Sequence, residues 1–265
     1  MAVIDDLLRD LAAEGRALDA LVAPLDPAGW RTPTPAPGWT VAHQIAHLAW
    51  TDEVAALAAR DPEEFNAYLA RALQQAGGAG FVDAAAEDGA WLEPAALLAT
   101  WRAGRLALAE ELAAVPSGRK LPWFGPPMGA ATMATARLME TWAHGQDVFD
   151  ALGARREPTA RLRHVAHLGV RTRDFAFVQR GMPAPVEEFR IELTAPDGGL
   201  WTWGPEDAAE RVTGPALDFC LLVAQRRHRD DLAVRAEGAA ANAWLGIAQV
   251  FAGPSGSGRA KGQFA

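Results

Sequence analysis

Two short segments of this chain set histidines and a carboxylate at helical spacing. In LMETWAHGQDVFDAL, Glu140 and His144 are four residues apart, which on an α-helix stacks them on one face. Their neighbours Leu138, Met139, Trp142 and Val148 are apolar, so the segment reads as largely buried. A carboxylate in such a place is costly unless something positive meets it. Arg137, three residues away, offers a surface ion pair; a divalent metal held jointly by Glu140 and His144 is the sharper alternative. In APGWTVAHQIAHLAW, His43 and His47 are again four apart, and Ile45, Leu48 and Ala49 mark the buried side. That turns His47 toward the interior. Helical bundles build metal sites from side chains on facing helices. One imidazole from one helix and a Glu-x-x-x-His from another make three ligands with a position left open, the pattern of catalytic rather than structural zinc.

The elements that must position these groups are mainly helical. Residues 3–23 repeat Ile4, Leu7, Leu8, Leu11, Leu18, Leu21 and Val22 at three- and four-residue spacing, which predicts an amphipathic helix. RTPTPAPGW (31–39) is rich in proline and breaks regular structure. Thr40 is a suitable N-cap for a helix over 41–60. GGAG at 77–80 interrupts the pattern, and further helices are expected over 94–115 and 130–152, the last after the loop PSGRKLPWFGPPMG. A fifth helical stretch, 159–179, packs on this bundle or links it onward. After Pro185 the texture changes: Phe189, Ile191 and Leu193 alternate with polar residues, and Asp197-Gly198-Gly199 leads into LWTW, a hairpin signal. Gly214-Pro215 is read as opening a helix that runs to His228, with a last helix over 239–251. The expected fold is α+β but mainly α: an antiparallel four-helix bundle over 1–180, a small α+β domain over 181–252, and a disordered tail over 253–265.

Composition narrows the partners. The 265 residues carry 25 Lys and Arg against 33 Asp and Glu, for a net charge of −8. Without a cationic stripe a nucleic-acid partner is not expected. A single cysteine, Cys220, excludes an internal disulfide and a cysteine-based zinc cluster. No apolar run reaches the ~18–20 residues that span a bilayer, and the acidic N-terminus does not fit a secretory signal. A cytoplasmic monomer or homodimer acting on a small molecule is expected.

The pair GWTVAHQIAHLA and ETWAHGQDV resembles the mycothiol-dependent maleylpyruvate isomerase family, within the wider DinB-like group of metal-binding bundles. The resemblance covers nearly the whole chain and implies a DinB-like bundle followed by a small α+β domain. It implies that His47, Glu140 and His144 hold a divalent metal, commonly zinc, and that Asp147 sits at the recurrent position three residues after the last ligand. There Asp147 is either a partner that accepts the proton on the free ring nitrogen of His144 or a solvent-facing acid near the end of the helix. It also implies an arginine from the second domain facing the metal, with Arg227 favoured slightly over Arg226 as the clamp for a carboxylate. The stretch from ELTAPDGGLWTWGPED to FCLLVAQRRHR is closer to an actinobacterial subgroup described only as metal-binding.

Other residues divide between structure and function. His43 is either an exposed helix position or an outer partner that orients His47 or a substrate. The cations of QRRHR also suit a helix C-terminus without any function. Cys220, inside LDFCLLVA, is core, so no protein nucleophile is expected and any thiol comes from another molecule. Trp39, Trp142, Trp201 and Trp203 are core or cleft wall, with Trp142 turned away from the metal face. The expected function is a metal-dependent isomerase or thiol S-transferase that uses mycothiol as co-substrate. A thiol-independent lyase, hydrolase or cyclase, and a non-catalytic metal or ligand-binding module, are the alternatives.

Overall fold

A computed structural model describes residues 2–75, 80–254, 256 and 258–264, so the break expected at 77–80 falls mostly outside the described residues. The chain divides into two compact units, Met1–Arg156 and Glu157–Ala265.

The first unit is helical. The long helices α1 (Ala2–Val22), α3 (Val41–Arg60), α6 (Pro94–Ala114) and α7 (Ala130–Ala151) fall close to their expected limits. Their core gathers Leu18, Val22, Trp30, Ile45, Leu48, Leu97, Trp101 and Val148. Helix α3 is buried on nearly every side, flanked by α5, α6 and α7. A helix so enclosed loses its amphipathic signature, and its polar residues must find partners inside the protein. Three shorter helices were not anticipated: α2 (Pro27–Trp30), α4 (Pro62–Gln75) and α5 (Phe81–Ala90). Gly89 of α5 permits close approach to α3, since a Cβ there would lie 2.7 Å from that of Ala46. Strands β1 (Lys120–Leu121) and β2 (Met128–Gly129) form a two-stranded ribbon that presents Trp123 and Phe124 at its turn. The proline-rich loop before α3 is ordered by a Pro33–Thr40 bridge and by Thr34 N donating to Trp39 O at 2.8 Å.

The second unit begins earlier than expected. The stretch 159–179 forms two helices, α8 (Leu162–Arg171) and α9 (Arg173–Gln179), and it belongs with the sheet, not with the bundle. The cause is the apolar face Leu162, Val165, Ala166 and Gly169 of α8. A Cβ on Gly169 would meet Phe219 and Val223 of α10 (Ala216–Val223) within 3.2 Å. Strands β3 (Phe189–Thr194) and β4 (Leu200–Trp203) form the expected hairpin. Two further strands, β5 (Glu210–Pro215) and β6 (Arg235–Glu237), complete a sheet of order β4-β3-β5-β6, with β3 and β5 parallel. Gly204, at φ +78°, has no room for a side chain beside the Phe189 carbonyl.

Gly214-Pro215 therefore ends a strand before it opens a helix. Helix α10 stops at Val223, well short of His228, where Gln225 turns the chain at φ +58°. His228 instead caps the following 3-10 turn, its Nδ1 accepting from Asp230 N at 3.1 Å. The last helix, α11, covers Ala239–Ile247. The tail expected to be disordered makes specific contacts where it is described. Lys261 Nζ pairs with Asp230 at 3.0 Å, and Gly262 N donates to Asp231 at 2.8 Å. Among the described residues no helix is long and apolar enough to cross a membrane.

Candidate metal centre

Helices α3 and α7 bring the two segments together. Glu140 Oε2 lies 3.1 Å from His144 Nε2 and 3.5 Å from His47 Nε2. The two imidazole centroids are 4.4 Å apart. Bonds of ~2.0–2.1 Å in a tetrahedral shell put donor atoms roughly 3.3 Å from one another, so these two separations match a common cation. His47, Glu140 and His144 are the metal-capable cluster among the described residues.

The alternative partner for Glu140 is committed elsewhere. Arg137 is fully buried, and its Nε donates to Asp52 Oδ1 at 2.9 Å across α3 and α7. It is not the surface ion pair of Glu140. Burial raises the Asp52 carboxyl above its ordinary range even though Arg137 opposes the shift.

The hydrogen bonds around His144 place a proton on its Nδ1. Thr34 Oγ1 donates to Trp39 O at 2.9 Å, which leaves its lone pairs to accept from Gln44 Nε2 at 2.9 Å. That orients the amide so that Gln44 Oε1 faces His144 Nδ1 at 2.6 Å. An amide oxygen only accepts, so Nδ1 carries a proton and Nε2 is turned to Glu140. At 3.1 Å from the carboxylate oxygen, Nε2 either donates a proton to it or shares a cation with it. A divalent cation serves both imidazoles at once.

Burial lowers the pKa of His47 to about 4, with His144 adding to the shift and Glu140 opposing it. Its ring is therefore neutral at pH 7, as a metal ligand must be. Its Nδ1 has no hydrogen-bond partner among the described residues. For Glu140 burial acts to raise the pKa, but hydrogen bonds from His144 and His47 outweigh it and hold the carboxyl well below its usual range.

Two expected outer partners are corrected. Asp147 is buried, but both nitrogens of His144 face Gln44 and Glu140, so Gln44 takes the orienting place expected for Asp147. Long helical side chains lean toward the N-terminus, which carries the His144 ring toward Glu140 and away from Asp147. His43 does not orient His47. Its Nδ1 accepts from Thr40 N at 3.2 Å in a capping box, and its Nε2 donates to Glu87 Oε2 at 2.8 Å. Gln44 was missed because an amide in an apolar helix shows its role only when the facing helix is known. The available signal was its place on the buried side, three residues before His47.

Aromatic rings wall the cluster. Trp39 lies 5.3 Å from His47 and stacks on His144 at 5.8 Å, and Trp50 lies 5.9 Å from His47. Trp142 faces away and carries the Arg156 guanidinium 5.0 Å from its ring. In the second unit, Arg226 and Arg227 follow α10. Their Nη1 atoms donate to the carbonyls of Ala224 and Arg226, each at 2.7 Å, and the Arg227 guanidinium lies 4.4 Å from the ring of Phe264. Trp203 donates to His167 Nδ1 at 3.1 Å, also within the second unit. Cys220 is buried, and burial pushes its thiol pKa up.

Residues 11–149, which contain all three clustered side chains, match the family model for the mycothiol maleylpyruvate isomerase N-terminal domain. The chain belongs to this family. Residues 185–237 match a second model, described as wyosine base formation. Two proteins of Mycobacterium tuberculosis, from strains CDC 1551 / Oshkosh and ATCC 25618 / H37Rv, are each 58% identical to this chain over 259 residues. Each match covers 98% of this chain and 100% of the relative, and both relatives are named only as uncharacterized proteins. The crystal structure of mycothiol-dependent maleylpyruvate isomerase aligns with TM-score 0.59 at 17% identity, covering 87% of this chain and 92% of that one. A mutant of that isomerase aligns with the same TM-score at 16% identity, covering 88% and 92%. These likenesses place the maleylpyruvate isomerase family member in a DinB-like, mainly helical α+β fold.

Proposed function

We propose that this isomerase-family chain is a metal-dependent enzyme in which His47, Glu140 and His144 hold a divalent cation, zinc by the nature of the donors. The convergence of two imidazoles on one carboxylate oxygen, with Arg137 diverted to Asp52, carries the reading. A cation held there supplies Lewis acidity and lowers the pKa of a thiol or water that reaches it. The protein's own residues prepare that chemistry. Gln44 holds the proton on His144 Nδ1, while burial keeps His47 neutral. Trp39 stacks on the His144 ring, and Trp39 and Trp50 lie tilted against His47.

The thiol comes from a co-substrate, mycothiol by family, because Cys220 is enclosed in the core of the second unit. The second substrate is a small electrophile. Thiol addition to an activated double bond, rotation and elimination give isomerisation; retention of the adduct gives S-transfer. Arg226 and Arg227 are proposed as the clamp for a carboxylate on either substrate. The test is mycothiol consumption or cis–trans conversion of an electrophilic alkene by zinc-loaded protein, against Glu140→Gln. Turnover that needs both metal and mycothiol supports the proposal. Metal-dependent turnover without thiol points to the lyase or hydrolase alternative. A bound metal with no turnover points to a binding module.

A further inference from the structure

The two imidazoles of the cluster are oriented by different means. Gln44 Oε1 accepts from His144 Nδ1 at 2.6 Å, whereas His47 Nδ1 is buried with no hydrogen-bond partner among the described residues. A ligating histidine ordinarily has its other ring nitrogen held by an acceptor, which fixes the orientation of the ring. What meets the His47 ring instead is a pair of indoles. Trp39 lies 5.3 Å from it with 52° between planes, and Trp50 lies 5.9 Å from it with 49°. Both separations fall within the ~4.5–7 Å of favourable ring contacts.

Each indole is itself anchored, and by a helix that contributes nothing to the ligand trio. Trp39 Nε1 donates to Asp83 Oδ1 of α5 at 3.2 Å. Trp50 Nε1 donates to Tyr68 Oη of α4 at 2.7 Å. An indole has one N–H and no acceptor, so a single bond of this kind sets the rotation of the ring. Phe81 of α5 adds an edge-on contact to Trp50 at 6.0 Å. Trp39 also stacks on His144 at 5.8 Å with 22° between planes, so the Asp83 anchor reaches both imidazoles. A second tie from α5 to α3, His43 Nε2 to Glu87 Oε2 at 2.8 Å, bonds neither of these indoles.

We propose that Asp83 and Tyr68 are positioning residues for the metal centre, acting through Trp39 and Trp50 to hold the His47 imidazole in its ligating orientation. This rests on the metal reading above. An amide oxygen orients His144, and two anchored indoles do the same for His47. Helices α4 and α5 thereby acquire a role in the site although neither supplies a ligand: each provides the acceptor that fixes one indole. Ring contacts restrain a neighbour less sharply than a hydrogen bond does, so two of them act where one amide suffices for His144.

The experiment reads two quantities on the full-length protein: zinc affinity, by competition with a chromogenic chelator, and the visible spectrum of the cobalt(II)-loaded form, which reports the geometry of the ligand shell. Tyr68→Phe, which removes one acceptor oxygen, and Asp83→Ala should each weaken zinc binding about three- to tenfold, less than the loss of a hydrogen-bonded orienting partner. Both should also alter the cobalt spectrum. Asp83→Asn keeps an acceptor for the indole, so its affinity should stay within about twofold of the parent and its spectrum should match. Glu87→Ala cuts the other α5 tie and should behave like the parent, which separates positioning from general anchoring of the helix. Circular dichroism checks folding, and Tyr68→Phe decides alone if Asp83→Ala does not fold. Parent-like affinity and spectrum in either folded variant, Tyr68→Phe or Asp83→Ala, overturns the proposal and leaves the metal reading intact. Equal weakening in Glu87→Ala and Asp83→Ala also overturns it. A parent protein that binds no zinc overturns it together with the metal reading.

Discussion

Gln44 Oε1 and His144 Nδ1 meet at 2.6 Å across two helices, joining positions a hundred residues apart in the chain. Because Thr34 and the Trp39 carbonyl fix the direction of the amide, the contact places a proton on Nδ1 of the imidazole. The outer nitrogen donates to the amide, and the inner one is turned to Glu140.

Gln44 is accordingly expected to matter for metal affinity without touching metal. Gln44→Ala should weaken zinc binding by about 10–100-fold, the usual consequence of losing a partner that orients a ligand. Gln44→Glu, which keeps an acceptor at the same place, should recover most of that loss. Competition with a chromogenic chelator measures both.

His43 supplies the contrast. Its contacts are with Thr40 and Glu87, so His43→Ala should lower stability by about 1 kcal/mol, as lost caps do. Zinc affinity measured in the same competition should stay within about twofold of the parent, since capping free energy is spent at the end of α3. Urea denaturation gives the stability change.

Asp52 and Arg137 form a buried pair one turn from the ligands. Removal of one partner strands a charge, so Arg137→Met alone should destabilise by about 3–5 kcal/mol. The double variant Asp52→Leu, Arg137→Met should recover a large part of this, because no buried charge remains. Chemical denaturation of all three metal-free proteins provides the comparison.

The depressed pKa of His47 gives the metal-free protein a defined acid sensitivity. Above pH 6.5, its ordinary value, His47 is neutral both folded and unfolded and contributes no pH dependence. Between pH 6.5 and about 4 the unfolded chain takes up a proton that the folded chain refuses. Stability therefore falls on acidification, by up to roughly 3 kcal/mol. Glu140, held low, adds a loss only as pH drops below its own ordinary range. Denaturation at pH 7 and pH 5 should show a difference that shrinks in His47→Gln.

The long helices and the ligand trio were legible in sequence for related reasons. Leu and Ile at helical spacing mark the packed faces, and polar residues caught on those faces, such as His47 and Glu140, stand out as needing partners. Helices α4 and α5 and strand β5 were less legible. FVDAAAEDGA offers few large apolar residues, and Val212 is the single buried residue of ERVTGP, so alternation had almost nothing to show. His43 and His47 share the same spacing with their neighbours, yet only tertiary context separates them: Glu87 draws one outward, and Glu140 draws the other inward. The division between units was misread because the apolar face of α8 fits a bundle and α10 equally well in sequence.

The most direct test is elemental analysis of protein stripped with chelator, reloaded with zinc and desalted. One zinc ion per chain in the parent protein, lost in both His47→Ala and Glu140→Gln while their circular dichroism is kept, is the expected result. A parent protein that retains no zinc, or folded variants that retain it undiminished, would contradict the assignment of these three side chains as a metal centre.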